Sequence, residues 1–184
     1  MERNRKMLPI GPLMIEHRLI ERMIRRIGKE LAHMKETGRA DVGFLTGAVD
    51  FIRFYADRCH HGKEEQILFR ELDKKDLLPE ERRRMEELVE DHIHARGKVA
   101  EVVAATARYA NGDKNAIHEI IDALAVLVDF YPVHIAKEDK DFFLPVMAHF
   151  TPEEKDAMLR EGIEFDASLI HEEYRAFVDG LEKN

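Results

Sequence analysis

The chain has 184 residues, 45% of them hydrophobic and 36% charged, with no tryptophan and one cysteine. That length suits a single domain, and a net charge of −8 with no dominant basic face argues against nucleic acid as a partner. The lone Cys59 excludes an internal disulfide and a thiolate metal cluster.

The N-terminus, Met1-Glu2-Arg3-Asn4-Arg5-Lys6, is basic, but the apolar stretch after it is broken by Pro9, Gly11, Pro12 and Glu16. That pattern is not a signal peptide, and no stretch reaches transmembrane length, so a cytoplasmic location is expected. A first helix is read from about Pro12, suited to a first-turn position, to Glu36, with Gly38 as its stop. A second starts near Asp41, a candidate N-cap, and runs to about Lys74, with Gly62 as a local weak point. The third runs from Pro79 to Ala110. Its Arg82-Arg83-Arg84 run is flanked by glutamates and reads as a solvated face rather than a phosphate patch. The fourth covers about Asn115 to His149, with a kink expected at Pro132. The fifth opens on Thr151-Pro152-Glu153-Glu154, a capping-box pattern with proline at the first helical position.

No strand is read. The linkers are short, so consecutive helices should be antiparallel neighbours. The expected architecture is all-α: an up-down-up-down four-helix bundle over residues 1–150, with an additional C-terminal helix, residues 151–184, packed on the same domain. An internal repeat supports this. Laying His61 on His134 also lays Glu65 on Glu138, Phe69 on Phe142 and Pro79-Glu80-Glu81 on Pro152-Glu153-Glu154, and a separate offset two residues longer lays Glu16-His17 on Asp91-His92. The chain reads as two copies of one helical hairpin.

Each copy offers a lone histidine and then a His-x3-Glu: His17, His61 and Glu65 in the first, His92, His134 and Glu138 in the second. A spacing of four puts imidazole and carboxylate on one helix face, one turn apart. Those faces are apolar: Leu13, Ile20 and Ile24 share the stripe of His17, and Met85, Leu88 and Val99 share that of His92. Buried carboxylates must be paired, protonated or coordinated. Four imidazoles and two carboxylates in one layer suit two ions of the Fe, Mn or Zn class.

The pattern Glu16-His17, His61-x3-Glu65, Asp91-His92, His134-x3-Glu138 resembles the hemerythrin-like (HHE cation-binding) domain over roughly residues 11 to 149. Within that family the four-histidine, two-glutamate set looks most like the di-iron domain of repair-of-iron-centres proteins. The resemblance implies His17, His61, His92 and His134 as terminal ligands, and Glu65 and Glu138 as bridges between two iron ions helped by an oxo or hydroxo group. Manganese or zinc would suit the same donors. The sequence departs from the oxygen carriers of the family, which place a fifth histidine one turn after the third-helix ligand; that slot is Arg96 here. They also carry an aspartate five residues after the last histidine. Asp139 has that offset, but Glu138 fits the helix face better.

The resemblance implies a small diatomic gas or peroxide as partner; charge and hydropathy point to no nucleic acid and no membrane, and the redox partner is left open. Three readings stand at this point: a module that binds or senses O2 or NO, a di-iron oxidoreductase acting on peroxide or NO, and an iron-handling or structural metal bundle. Glu21 is either an extra ligand or a surface partner of Arg25, and Arg96 either supports a carboxylate of the site or simply packs. Tyr131 either packs or donates a hydrogen bond to a bound oxygen species. His60 and His94 are read as pointing off the ligand face. His33, His118, His149 and His171 are read as surface residues, and Cys59 as a buried, inert thiol.

Overall fold

The computed structural model describes residues 7–182, with side chains as far as Leu169. The basic segment Met1–Lys6 and the side chain of His171 lie outside the described residues. Helix α1 is Ile10–Thr37, α2 spans residues 42–72, α3 is Pro79–Ala110, α4 spans residues 116–146 and α5 is Pro152–Glu182. No strand occurs among the described residues, and no helix there is long and apolar enough to cross a membrane.

The helix ends follow local chemistry. Gly38 closes α1 in the left-handed conformation, φ 66°, and its N–H reaches the Met34 carbonyl. Asp41 caps α2 by accepting from the Phe44 N–H at 3.0 Å. Glu81 accepts from the Leu78 N–H ahead of Pro79. Thr151 and Glu154 cap α5 reciprocally, at 2.9 and 3.2 Å. Pro132 lies inside α4 as read, and the helix continues past it.

Two helices change pitch where it matters. Within α2, Ile52–His61 and Glu64–Phe69 are wound as π-helix, and so is Lys137–Phe142 within α4. Such turns carry an extra residue and are found disproportionately at functional sites. In an α-helix, adjacent residues diverge by about 100°, so two neighbouring side chains point to different sides of the core. The π-wound α2 buries both His60 and His61 at 1% exposure.

α1 packs against α2 and α4, and α3 packs against the same two, which closes the four-helix ring. The core is split in two. One apolar cluster holds Ile20, Ile27, Ile52, Val99, Ile120 and Leu127, and the other holds Leu13, Leu72, Met85, Leu88, Phe142 and Val146. Between them every helix of the ring contributes a polar residue to one buried layer. Leu127 is fully buried, so Leu127→Ala is expected to lower the unfolding free energy by about 2–5 kcal/mol. Urea denaturation followed by circular dichroism measures this.

α5 lies across α2. Met158 joins the second cluster, Glu161 pairs with Arg70 at 2.7 Å, and Phe165 covers Gly62. A Cβ at Gly62 would stand 2.9 Å from the Phe165 ring. The glycine therefore serves a close approach rather than a loosened turn.

Candidate metal centre

The polar layer contains five histidines and two glutamates. His17, His60, Glu64 and Glu138 bring donor atoms within 4.8 Å of one another, and so do His61, His92 and His134. The two carboxylates join the groups. Glu64 places Oε1 3.3 Å from His60 Nε2 and Oε2 3.3 Å from His92 Nε2. Glu138 places Oε2 3.1 Å from His17 Nε2 and Oε1 3.2 Å from His134 Nε2. Each carboxylate thus turns one oxygen toward each group.

These contacts lack hydrogen-bond geometry. Nε2 of His17, His60, His92 and His134, and all four oxygens of Glu64 and Glu138, are buried with no hydrogen-bond partner among the described residues. Buried polar atoms are nearly always satisfied, and eight unsatisfied ones converging on a single layer are a donor set. The chemistry of that set, imidazole and carboxylate, fits a first-row metal ion.

The opposite side of each ring is fully engaged. Nδ1 donates to Asp139 in His17 (2.8 Å), to Glu16 in His60 (2.9 Å) and to Asp57 in His61 (3.3 Å). It donates to Glu65 in His92 (2.7 Å) and to Asp91 in His134 (3.2 Å). A proton held on Nδ1 leaves the Nε2 lone pair free and fixes the ring plane, as in carboxylate–histidine–metal arrangements. Behind the carboxylates stand cations. Lys63 contacts Glu16, Lys137 contacts Asp91, and Arg18 contacts Asp139. Arg96 holds Asp57 at 2.7 Å and Glu65 at 2.8 Å.

Charge sets the protonation of the layer. His60 and His92 are pushed up to about 10 and about 11: burial opposes the charged ring, but the carboxylates of Glu64, Glu138, Glu16 and Glu65 outweigh it. His61 falls to about 4, because burial and the neighbouring His92 both disfavour its charge. Burial and Glu64 raise Glu138, yet His134, His17 and His92 together bring it down to about 2. Without metal, His60 and His92 therefore stand as imidazolium–carboxylate pairs. Metal requires the neutral rings, so uptake at pH 7 is expected to release about two protons per chain and to weaken as pH falls. Calorimetric titration in two buffers of different protonation enthalpy counts the protons.

The structure brings His17, His61, His92, His134 and Glu138 together, as the spacing argument expects. It replaces Glu65 with Glu64. The side chain of Glu65 is 28% exposed and binds His92 Nδ1 and Arg96 from outside the layer. It also moves His60, read as off the face, into the layer. The reason is the π winding of α2, which shifts the inward register by one residue. With that shift the repeat improves: His60 matches His134, Lys63 matches Lys137, Glu64 matches Glu138 and Glu65 matches Asp139. Lys63 and Lys137 then make the same contact to Glu16 and Asp91. His61 is left as the unmatched fifth histidine, opposite Ile135 in the second copy. Part of the signal was present in the sequence, since four of the seven layer residues have an acidic neighbour: Glu16-His17, Glu64-Glu65, Asp91-His92, Glu138-Asp139.

Glu21 stays outside, paired with Arg18 at 3.2 Å rather than with Arg25. Arg96 supports two outer carboxylates and does not enter the layer. Tyr131 is buried beside His61, and its hydroxyl has no partner among the described residues. His33, His94 and His118 are exposed, whereas His149 is half-buried and pairs with Glu81 at 2.8 Å. Cys59 donates to Asp166 at 3.1 Å, and burial together with that carboxylate pushes its thiol up to about 12, which makes it unreactive at neutral pH.

No curated protein and no solved structure gives a match to this chain. The hemerythrin HHE cation binding domain matches residues 8–144. That span contains every residue of the layer and leaves α5 outside. With the site's donors, their Nδ1 carboxylates and nearly all of the four-helix ring inside it, the chain belongs to the hemerythrin HHE cation-binding domain family.

Proposed function

We propose that the protein holds two iron ions in this layer and binds or reacts with O2, NO or peroxide, working in the cytoplasm without a nucleic-acid or membrane partner. One observation carries the reading: buried histidines divided three and two, with two carboxylates that offer one oxygen to each group, and nearly all of these donor atoms unsatisfied. Two positions sharing both carboxylates would use every free donor. Bound iron would supply a redox couple and an electrophilic site for a small oxygen or nitrogen species. The chain's part is to fix five rings through their Nδ1 bonds, to keep the Nε2 atoms bare and to exclude water between two apolar clusters.

A second reading, the oxidoreductase, is favoured by a cleft whose wall includes His61 and Tyr131. It gives the layer a route to solvent, and Tyr131 places an unengaged hydroxyl there. The same donors would accept manganese or zinc, so the metal is decided by analysis. Protein purified without oxygen is expected to contain about two irons per chain and to change its visible spectrum on exposure to air, NO or peroxide. Turnover of peroxide or NO would select the enzyme, and a stable adduct the carrier or sensor. A single colourless zinc, or no metal, would overturn the reading.

A further inference from the structure

The cleft between α2 and α3 is too large for a diatomic gas. It encloses about 360 Å³, room for about a dozen water-sized groups at roughly 30 Å³ each. Sites for organic ligands begin at about 300 Å³. Its long wall is the stretch of α3 from Ala95 to Ala104, which rises about 14 Å. Val99, Ala100 and Ala104 make that wall apolar and low, while Tyr131 and His61 close the inner end.

The two ends differ in chemistry. At the inner end, the Tyr131 hydroxyl is buried, lines the cleft and lacks an acceptor among the described residues. At the outer end, Arg53 lies eight residues before His61 on the same helix. Arg53 is exposed and has no carboxylate partner among the described residues. Asp57, between them, is already matched by Arg96 and His61. Among the described residues the cleft therefore has a free cation at its mouth, an aliphatic wall and a free hydroxyl at its floor.

We propose that this cleft binds a small aliphatic monocarboxylate, its carboxylate at Arg53 and a polar far end at Tyr131, next to His61. Binding itself stands on the cleft alone. That the far end is presented to the metal layer rests on the function proposed above.

The test is calorimetric titration of octanoate and 8-hydroxyoctanoate into the full chain, with metal content measured on the same preparations. Both are expected to bind once per chain, the hydroxy acid about tenfold more tightly. Arg53→Gln should weaken both about tenfold. Ala100→Trp, at an exposed position, should fill the cleft and weaken both more than tenfold without changing metal content. Tyr131→Phe should remove the advantage of the hydroxy acid alone. Absence of saturable binding, or binding that none of these variants alters, overturns the proposal. A protein that takes metal but neither acid overturns the cleft and leaves the metal reading intact; one that takes the acids but no metal supports the cleft and removes the metal reading.

Discussion

Glu64→Gln is expected to reduce bound metal to one ion per chain or fewer, while Glu65→Gln keeps the full stoichiometry. The two residues are adjacent and chemically identical, so only their placement separates them. Glu64 is fully buried, with one oxygen toward His60 and the other toward His92, and neither is hydrogen-bonded. Its amide variant keeps the volume but replaces one donor oxygen with an NH2 group that cannot ligate. Glu65 only orients His92 through Nδ1 and is itself held by Arg96. Loss of such a supporting carboxylate costs about 10–100-fold in metal affinity, so the Glu65 variant should still saturate at higher metal concentration. Elemental analysis after dialysis, with a titration for the affinity, separates the outcomes. If Glu65→Gln loses its metal and Glu64→Gln keeps it, the register described here is wrong.

Removing the metal with a chelator is expected to leave the bundle folded but to lower its melting temperature by roughly 10 °C. A ligand at a thousandfold excess over its dissociation constant stabilises by about 4 kcal/mol. In a domain of this size each kcal/mol corresponds to about 2–4 °C. The fold survives because the stripped layer is not a set of bare charges: His60 and His92 are held protonated against Glu64 and Glu138. Those pairs give the stripped protein a distinct acid sensitivity. Glu138 and Asp91 are both held down to about 2 in the folded state, against about 4 when unfolded. A depressed carboxylate contributes stability that is fully present above the unfolded value and is lost as pH falls toward the folded one. The stripped protein should therefore lose stability between about pH 4 and pH 2, steeply if both carboxylates act together. Thermal melts across that range, with and without chelator, provide the measurement.

The outer carboxylates show why the family's histidines were easier to find than the full site. His17, His92 and His134 each interrupt an apolar stripe of ordinary α-helical period, and that period identifies them without a structure. Asp91 and Glu16 were visible as a matched pair, but their role was not, because each reaches the histidine of the next helix rather than its own neighbour. Such crossings are tertiary by nature. Likewise Arg96 was legible as a departure from the oxygen carriers' pattern. That it carries two outer carboxylates, and that a fifth histidine enters from α2 instead, depends on how α2 and α3 meet.

The sequence by itself determined the all-helical class, the helix boundaries set by Gly38, Asp41, Pro79 and the Thr151-Glu154 cap, the family, and five of the seven layer residues. These rest on local signals: caps, periodicity and the order of ligand residues along the chain. Only the tertiary structure decided that Glu64 and His60 face inward and Glu65 outward. Two overlapping His-x3-Glu pairs, His60–Glu64 and His61–Glu65, satisfy the same helical spacing, and the period alone does not say which of them faces the layer. The π winding of α2 admits both histidines and only the earlier glutamate, and nothing in an α-helical reading of the sequence distinguishes that outcome from its alternative.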